Sequence, residues 1–339
     1  MKRHWPYAVQ TLLGLTISGV LLASMLGPRE PVYQGKALSY WVDRLELHQA
    51  ESETAICEIG SQAVPFLLQQ VHRENGIPRR LHRAIWPKLP PVLRSKLPNP
   101  KPGDFVHRIH EALEPLAPSS VPELLRALQD RVVDVRLIVM NLIGSTGATG
   151  DEAVPQLIRL VDDRDVRIRV TAVSILGKMG SKNKQAIPAL CRALRDGDDE
   201  FVPGFPTCVR ANAAQVLGEI GPDARASVPA LRRLLVCKHD FTREQAAIAL
   251  WRITRDTNVV SLLVAELDRA PNSMAYRQIV SALGEMGQPA KAAVPAVVRT
   301  IGQPGRWEDF EQYEILKVGE EALRRIDPNA LLKLNGPGK

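Results

Sequence analysis

Residues 153–163 read AVPQLIRLVDD, and the phrase returns as SVPELLRALQD from Ser120, AIPALCRALRD from Ala186 and SVPALRRLLVC from Ser227. Pro122, Pro155 and Pro188 stand 33 residues apart; Pro229 follows after 41, and Pro295 after a further 66, which is two periods. A second marker runs in step: Gly144 and Gly147, Gly177 and Gly180, Gly218 and Gly221, Gly284 and Gly287. Two independent markers with one period identify an internal repeat.

Each marker has a physical task. Proline suits the first turn of a helix, where its missing N–H would have had no partner. Behind Pro155, Leu157, Leu160 and Val161 recur at helical spacing and form the stripe of a first helix, A. Asp162-Asp163-Arg164-Asp165 closes it in a polar turn, and a second helix, B, is predicted from about Val166 to Met179. Ala172 and Gly177 are small enough for close approach, and Gly180 is a natural stop because glycine accepts the left-handed conformation cheaply. One such hairpin cannot bury its own apolar face, so the units must stack. Hydrophobic residues make up 45% of the 339, enough for a core, while aromatics at 5% and the absence of strand-like alternation argue against a sheet. The expected fold is all-α: an α-solenoid of stacked helical hairpins, with repeat boundaries near Gly147, Gly180, Gly221 and Gly287.

The pattern VPxLxxxLxD, then VR, then AxxxLGxxG, resembles HEAT repeats of the short bacterial type also found in bilin-lyase-like proteins. The likeness is clearest over Ala153–Gly180 and Ser227–Thr254 and extends over roughly 118–300. It implies a right-handed superhelix and an Asp–Arg ladder between turns. Asp130, Asp163 and Asp196 fit the acidic position; Arg136, Arg169, Arg210 and Arg243 fit the basic one. Cys237 takes the place of the acid in one repeat, and Trp251 takes the place of the glycine. The short segment YQGKALSYW, residues 33–41, resembles one in secreted or anchored HEAT proteins of planctomycete- and verrucomicrobia-type bacteria.

Three regions follow from this reading. Residues 1–27 form a signal anchor and 28–37 a linker. Residues 38–339 form the solenoid, with degenerate repeats over 38–117, regular repeats over 118–288 and a capping repeat over 289–333. Pro65 marks a repeat within the degenerate part. The anchor rests on residues 7–26, YAVQTLLGLTISGVLLASML, which carry no charge and are long enough to cross a bilayer as helix. Leu21 at the −3 position makes Leu21-Leu22-Ala23 a poor cleavage site for a secretory signal. Lys2 and Arg3 should stay cytoplasmic, which puts the bulk of the chain on the outer face of a bacterial inner membrane.

The net charge of +7 is concentrated. Residues 72–110 hold nine Lys or Arg against two acids, together with seven prolines. The core of this region is a basic Pro-rich insertion over 74–103. Its Arg79, Arg80, Arg83, Lys88, Arg94 and Lys96 are candidates to meet anionic lipid or an acidic partner, the alternative being a solvated loop packed over the first repeats. A second insertion, EFVPGFPT at 200–207, extends a turn.

Chemistry is scarce. There is no phosphate-binding glycine loop, GxSxG, HExxH or CxxC. His107 and His110, with His72 and His82 nearby, lack acidic or cysteine co-ligands at metal-binding spacing. No catalytic residue, cofactor or metal is expected. Cys57, Cys191, Cys208 and Cys237 are read as small core residues, with Cys191–Cys208 the nearest candidates for a bridge. Nucleic-acid binding is suggested by a pI of 9.3. It requires basic residues repeated along a groove, and the excess here sits in one segment.

A solenoid offers surface instead. In resembling proteins helix B lines the concave side. Counted from the glycine marker, one outward row holds Ile138, Thr171, Asn212, Gln245 and Gln278 at six before, and a second holds Asn141, Ser174, Gln215, Ile248 and Ser281 at three before. A third row, one after the marker, reads Ser145, Lys178, Glu219, Arg252 and Glu285. Asn141, Ser174, Asn212, Gln215, Gln245, Gln278 and Ser281 are the candidate contacts to an extended peptide, since amides both donate and accept. The sequence therefore points to a membrane-anchored, protein- or peptide-binding scaffold without enzymatic activity. The alternative is a HEAT-like lyase or chaperone-type accessory factor acting on another protein.

Overall fold

A computed structural model describes residues 30–45, 50–75, 84–90, 94, 105–147, 150–179, 184–197, 208–269, 273–301 and 309–330. The expected anchor (7–26), Arg79, Arg80, Arg83, Lys96, His82, Gly180 and the 200–207 insertion lie outside them. Among the described residues no helix is long and apolar enough to cross a membrane. The chain divides into two compact units, 1–123 and 124–339.

The first unit opens with an antiparallel hairpin, β1 (Val32–Tyr33) and β2 (Lys36–Ala37), which the search for alternation missed. Gln34 and Gly35 both take positive φ, 50° and 73°, which a two-residue hairpin turn requires. Three helices follow: α1 (Leu38–Leu45), α2 (Ala50–Ile59) and α3 (Ala63–Asn75). Pro65 sits in the first turn of α3, as its reading as a marker requires. Lys36 and Arg44 lie over the Tyr40 ring, 4.5 and 4.3 Å from its centroid. Part of the basic insertion is described. Trp86–Lys88 forms a short 3₁₀ turn, Lys88 is exposed, and Arg94 donates to the Leu89 and Pro87 carbonyl oxygens at 2.8 and 3.1 Å. Next come α4 (Phe105–Leu113), packed on α3, and α5 (Val121–Ala127), which leads out of the unit.

The second unit alternates short and long helices. The short A helices are α7 (Val154–Leu160), α9 (Ile187–Ala193), α11 (Val228–Leu234), α13 (Val259–Arg269) and α15 (Val294–Ile301). The B helices are α6 (Val133–Thr146), α8 (Val166–Lys178), α10 (Val209–Ile220), α12 (Asp240–Thr254), α14 (Ser273–Met286) and α16 (Asp309–Ile326). Each A helix packs on the B helix that follows it, and successive B helices pack on one another. Pro155, Pro188 and Pro229 occupy the first turns of α7, α9 and α11, as their spacing predicts.

The glycines do two things. Gly147, Gly221 and Gly287 end B helices with φ of 61°, 74° and 68°. Only Gly147 is left-handed in the ordinary sense; at Gly221 and Gly287 ψ is −139° and −138°, a region still more restricted to glycine. The other set governs the distance between B helices. A Cβ on Gly218 would stand 2.9 Å from the Ala249 Cα, and one on Gly284 3.0 Å from the Ala322 Cα. Each faces the residue two positions before the next repeat's marker. Where the marker is Trp251, α12 and α14 meet along much less of their length than α10 and α12 or α14 and α16 do. At that repeat's end Arg255 takes the left-handed φ of 60°, its guanidinium 4.5 Å from the Trp251 ring centroid.

Ion pairs tie the turns together. Arg136 reaches Asp163 at 3.0 Å and Arg169 reaches Asp196 at 2.6 Å, each side chain largely buried. Each arginine also donates to a carbonyl oxygen of its own turn, Asp130 at 2.7 Å and Asp163 at 2.9 Å. The ladder is therefore present at these two turns and again at Arg243, while Cys237 stands where the acid facing Arg210 would be expected. Arg243 donates to the Cys237 carbonyl oxygen at 2.7 Å and takes its carboxylate from Glu266, at 3.0 Å, and from Asp240. No disulfide joins the cysteines among the described residues: Cys208 is buried, Cys191 and Cys237 half-buried, and Cys57 exposed, so the reading as core residues fails at Cys57.

Candidate functional site

Four B helices of the second unit turn one face each toward a common groove of about 590 Å³. Helix α10 gives Gln215 and Glu219; α12 gives Gln245, Ile248 and Arg252. Helix α14 gives Met274, Arg277, Gln278, Ser281 and Gly284, and α16 gives Val318, Glu321, Ala322 and Arg325. Spacings of three, four and seven along each helix put these residues on one stripe.

Of the candidate contacts, Gln215, Gln245, Gln278 and Ser281 come together in this groove. Asn141, Ser174 and Asn212 do not line it. Asn141 is exposed on α6 and Ser174 half-buried on α8. Asn212 is buried and donates to the Ser174 Oγ at 2.6 Å and the Val170 carbonyl oxygen at 3.3 Å. The six-before row is thus not outward: Ile138, Thr171, Asn212 and Gln245 are all buried. Its polar members bond across to a neighbouring B helix, Asn212 to α8 and Gln245 to α14. Gln245 donates to the Gln278 Oε1 at 2.7 Å.

The charges of the groove are mostly paired. Arg252 forms a two-pronged contact with Glu285, closest at 2.9 Å, and Arg325 meets Glu321 at 2.6 Å. The Glu219 Oε1 accepts from Gln215 at 3.0 Å. Arg252 and Glu219 belong to the third sequence row, one residue after the marker. Met274 and Arg277 were missed altogether. Their signal was helical spacing, since they stand seven and four residues before Ser281.

Near Gln245 lies a buried acid. Burial is the main reason that the Glu244 carboxyl is pushed up to about 8, with the Glu266 charge adding to it and a hydrogen bond from Gln245 opposing it. His107 and His110 stack with ring centroids 6.3 Å apart; His107 pairs with Glu111 at 3.3 Å, and burial lowers the His110 pKa. Among the described residues no cluster of His, Cys, Asp or Glu is arranged to hold a metal.

Comparison with known families places HEAT repeats at residues 118–203 and a PBS lyase HEAT-like repeat at 209–237. The chain carries HEAT-like repeats. A search of curated proteins found no significant match. Among solved structures, a Kap121p mutant is 15% identical with a TM-score of 0.53, over 86% of this chain and 32% of that one. The complex of CpcE and CpcF of phycocyanin lyase from Nostoc sp. PCC7120 is 23% identical with a TM-score of 0.46, over 73% of this chain and 95% of that one. A designed armadillo repeat protein in complex with the peptide (KR)4 is 17% identical with a TM-score of 0.40, over 62% and 99%. The Kap121p likeness speaks for the fold alone: a helical-repeat solenoid, of which this chain spans about a third.

Proposed function

We propose that the chain is a protein- or peptide-binding scaffold, without enzymatic activity of its own, whose B-helix groove receives the partner. The observation that carries this reading is the groove itself. Successive repeats present amides, a hydroxyl and ion pairs already closed on each other, side chains that suit an extended backbone better than a reaction. The superhelix winds right-handed in this reading, as the HEAT-like pattern implies. Residues 7–26 anchor the scaffold in a bacterial inner membrane, supported by their length without charge, and the repeats stand outside the cytoplasm. Arg79, Arg80, Arg83, Lys88, Arg94 and Lys96 face anionic lipid or an acidic partner, supported by their charge density. The match at 209–237 to a repeat of PBS lyases favours one second reading, an accessory factor that acts on another protein.

The test is a pull-down from detergent-solubilised native membranes with the full chain and with Ser281→Trp, which fills the groove. A partner kept by the first and lost by the second is the expected result. A partner held equally by both would remove the groove from the account. Covalent transfer of a bilin to an acceptor protein by the purified chain would establish the second reading instead.

A further inference from the structure

From the Trp251 joint and the charges around it, we infer that the groove between α12 and α14 selects an extended peptide by an acidic side chain, which Arg277 receives. This inference rests on the scaffold reading and gives it a chemical class.

The joint is the place where the B-helix stack changes. At the glycine markers a Cβ would stand as little as 2.6–3.1 Å from its neighbour, at Val216 for Gly177 and at Ile175 for Gly144. An indole cannot be seated at such a distance, so α14 stands off α12 and exposes the stripe Met274, Arg277, Gln278 and Ser281. Met274 is 54% exposed, a free apolar contact one turn from Arg277.

The charges on this stripe are unequal in their commitments. Both carboxylates that line the groove are engaged, Glu321 by the Arg325 guanidinium and Glu219 by the Gln215 amide, and Arg252 is taken up by Glu285 outside the lining. Arg277 is half-buried and makes no hydrogen bond or ion pair among the described residues. A half-desolvated guanidinium with open donors prefers a carboxylate, which it can grip at two oxygens. A lysine-rich peptide would meet this charge with repulsion. Four helices at about 9–10 Å spacing span roughly 30 Å, and about nine extended residues at about 3.3 Å each cover that distance.

Three fluorescein-labelled peptides of about nine residues, all acetylated and amidated, test this on the full chain in detergent. They alternate Thr with Asp, Thr with Asn, or Thr with Lys. The Asp peptide should bind about tenfold tighter than the Asn peptide, and the Lys peptide weakest. Arg277→Gln should erase the preference for Asp while leaving binding of the Asn peptide; Arg277→Lys should restore part of it. Arg225→Gln, at an exposed position outside the groove, should keep the preference. Equal binding of the Asp and Asn peptides, or a preference that survives Arg277→Gln, overturns this inference and leaves the scaffold reading standing. Failure of all three peptides to bind overturns both.

Discussion

Arg169 donates to the Asp196 carboxylate of the next repeat and to the Asp163 carbonyl oxygen of its own turn, with both charged side chains about nine-tenths buried. Removing it leaves a buried carboxylate and a buried carbonyl without their donor. Arg169→Ala should therefore destabilise the chain by about 2–4 kcal/mol in urea unfolding. Arg192→Ala serves as the contrast. Its pair with Asp162 is also short, 2.7 Å, but the two side chains are 45% and 52% exposed, so water competes. Its loss should cost below about 1 kcal/mol. Glu244 adds a pH dependence. Its carboxyl titrates near 8 in the folded chain against an ordinary value of 4.5, so between those values the folded chain holds a proton that the unfolded chain has released. That term is fully stabilising below about 4.5, fades as pH rises, and is gone above about 8. Its slope is about 1.4 kcal/mol per pH unit within the window. Urea midpoints taken across the window should fall with pH in the native chain, and Glu244→Gln should flatten the fall. A midpoint unchanged by that replacement would mean that Glu244 is not buried as described.

At the scale of elements, the glycine markers set how closely B helices stack. Gly218 faces backbone, the Ala249 Cα, which no side-chain rotation can move aside. Gly218→Ala should cost about 1–3 kcal/mol by overpacking. Gly197→Ala has open space around it and should stay within about 0.5 kcal/mol. Equal effects would remove the close approach of α10 and α12. The same packing explains what was legible beforehand. Proline and glycine act locally, on helix start, helix stop and helix spacing, so their period announces the hairpins directly in the sequence. Burial of Asn212 and Gln245 depends on how far the neighbouring helix leans over them, and nothing at their own positions encodes that. Counting from Gly218 placed Asn212 on the right helix and in the right row, but in the seam. The β1–β2 hairpin escaped for a different reason. Two-residue strands are too short to show alternation, and only Gln34-Gly35 betrays the turn.

At the scale of the molecule, the repeats of the second unit supply a face that no single hairpin has. Gln215, Gln245, Gln278 and Ser281 come from three different B helices and meet only because those helices stack. The in-phase markers set Gln215, Gln245 and Gln278 in rows along the B helices, but the same rows hold Asn141 and Asn212, which stay out of the groove. Arg277 was not predictable from the markers, because its value to a ligand depends on which neighbouring charges are already paired. The most direct measurement is photo-crosslinking in the native host from a benzophenone amino acid placed at Ser281 or at Arg225. The account predicts a discrete crosslinked partner from Ser281 and none from Arg225. Crosslinks of equal yield from both positions, or a partner captured from Arg225 alone, would contradict it.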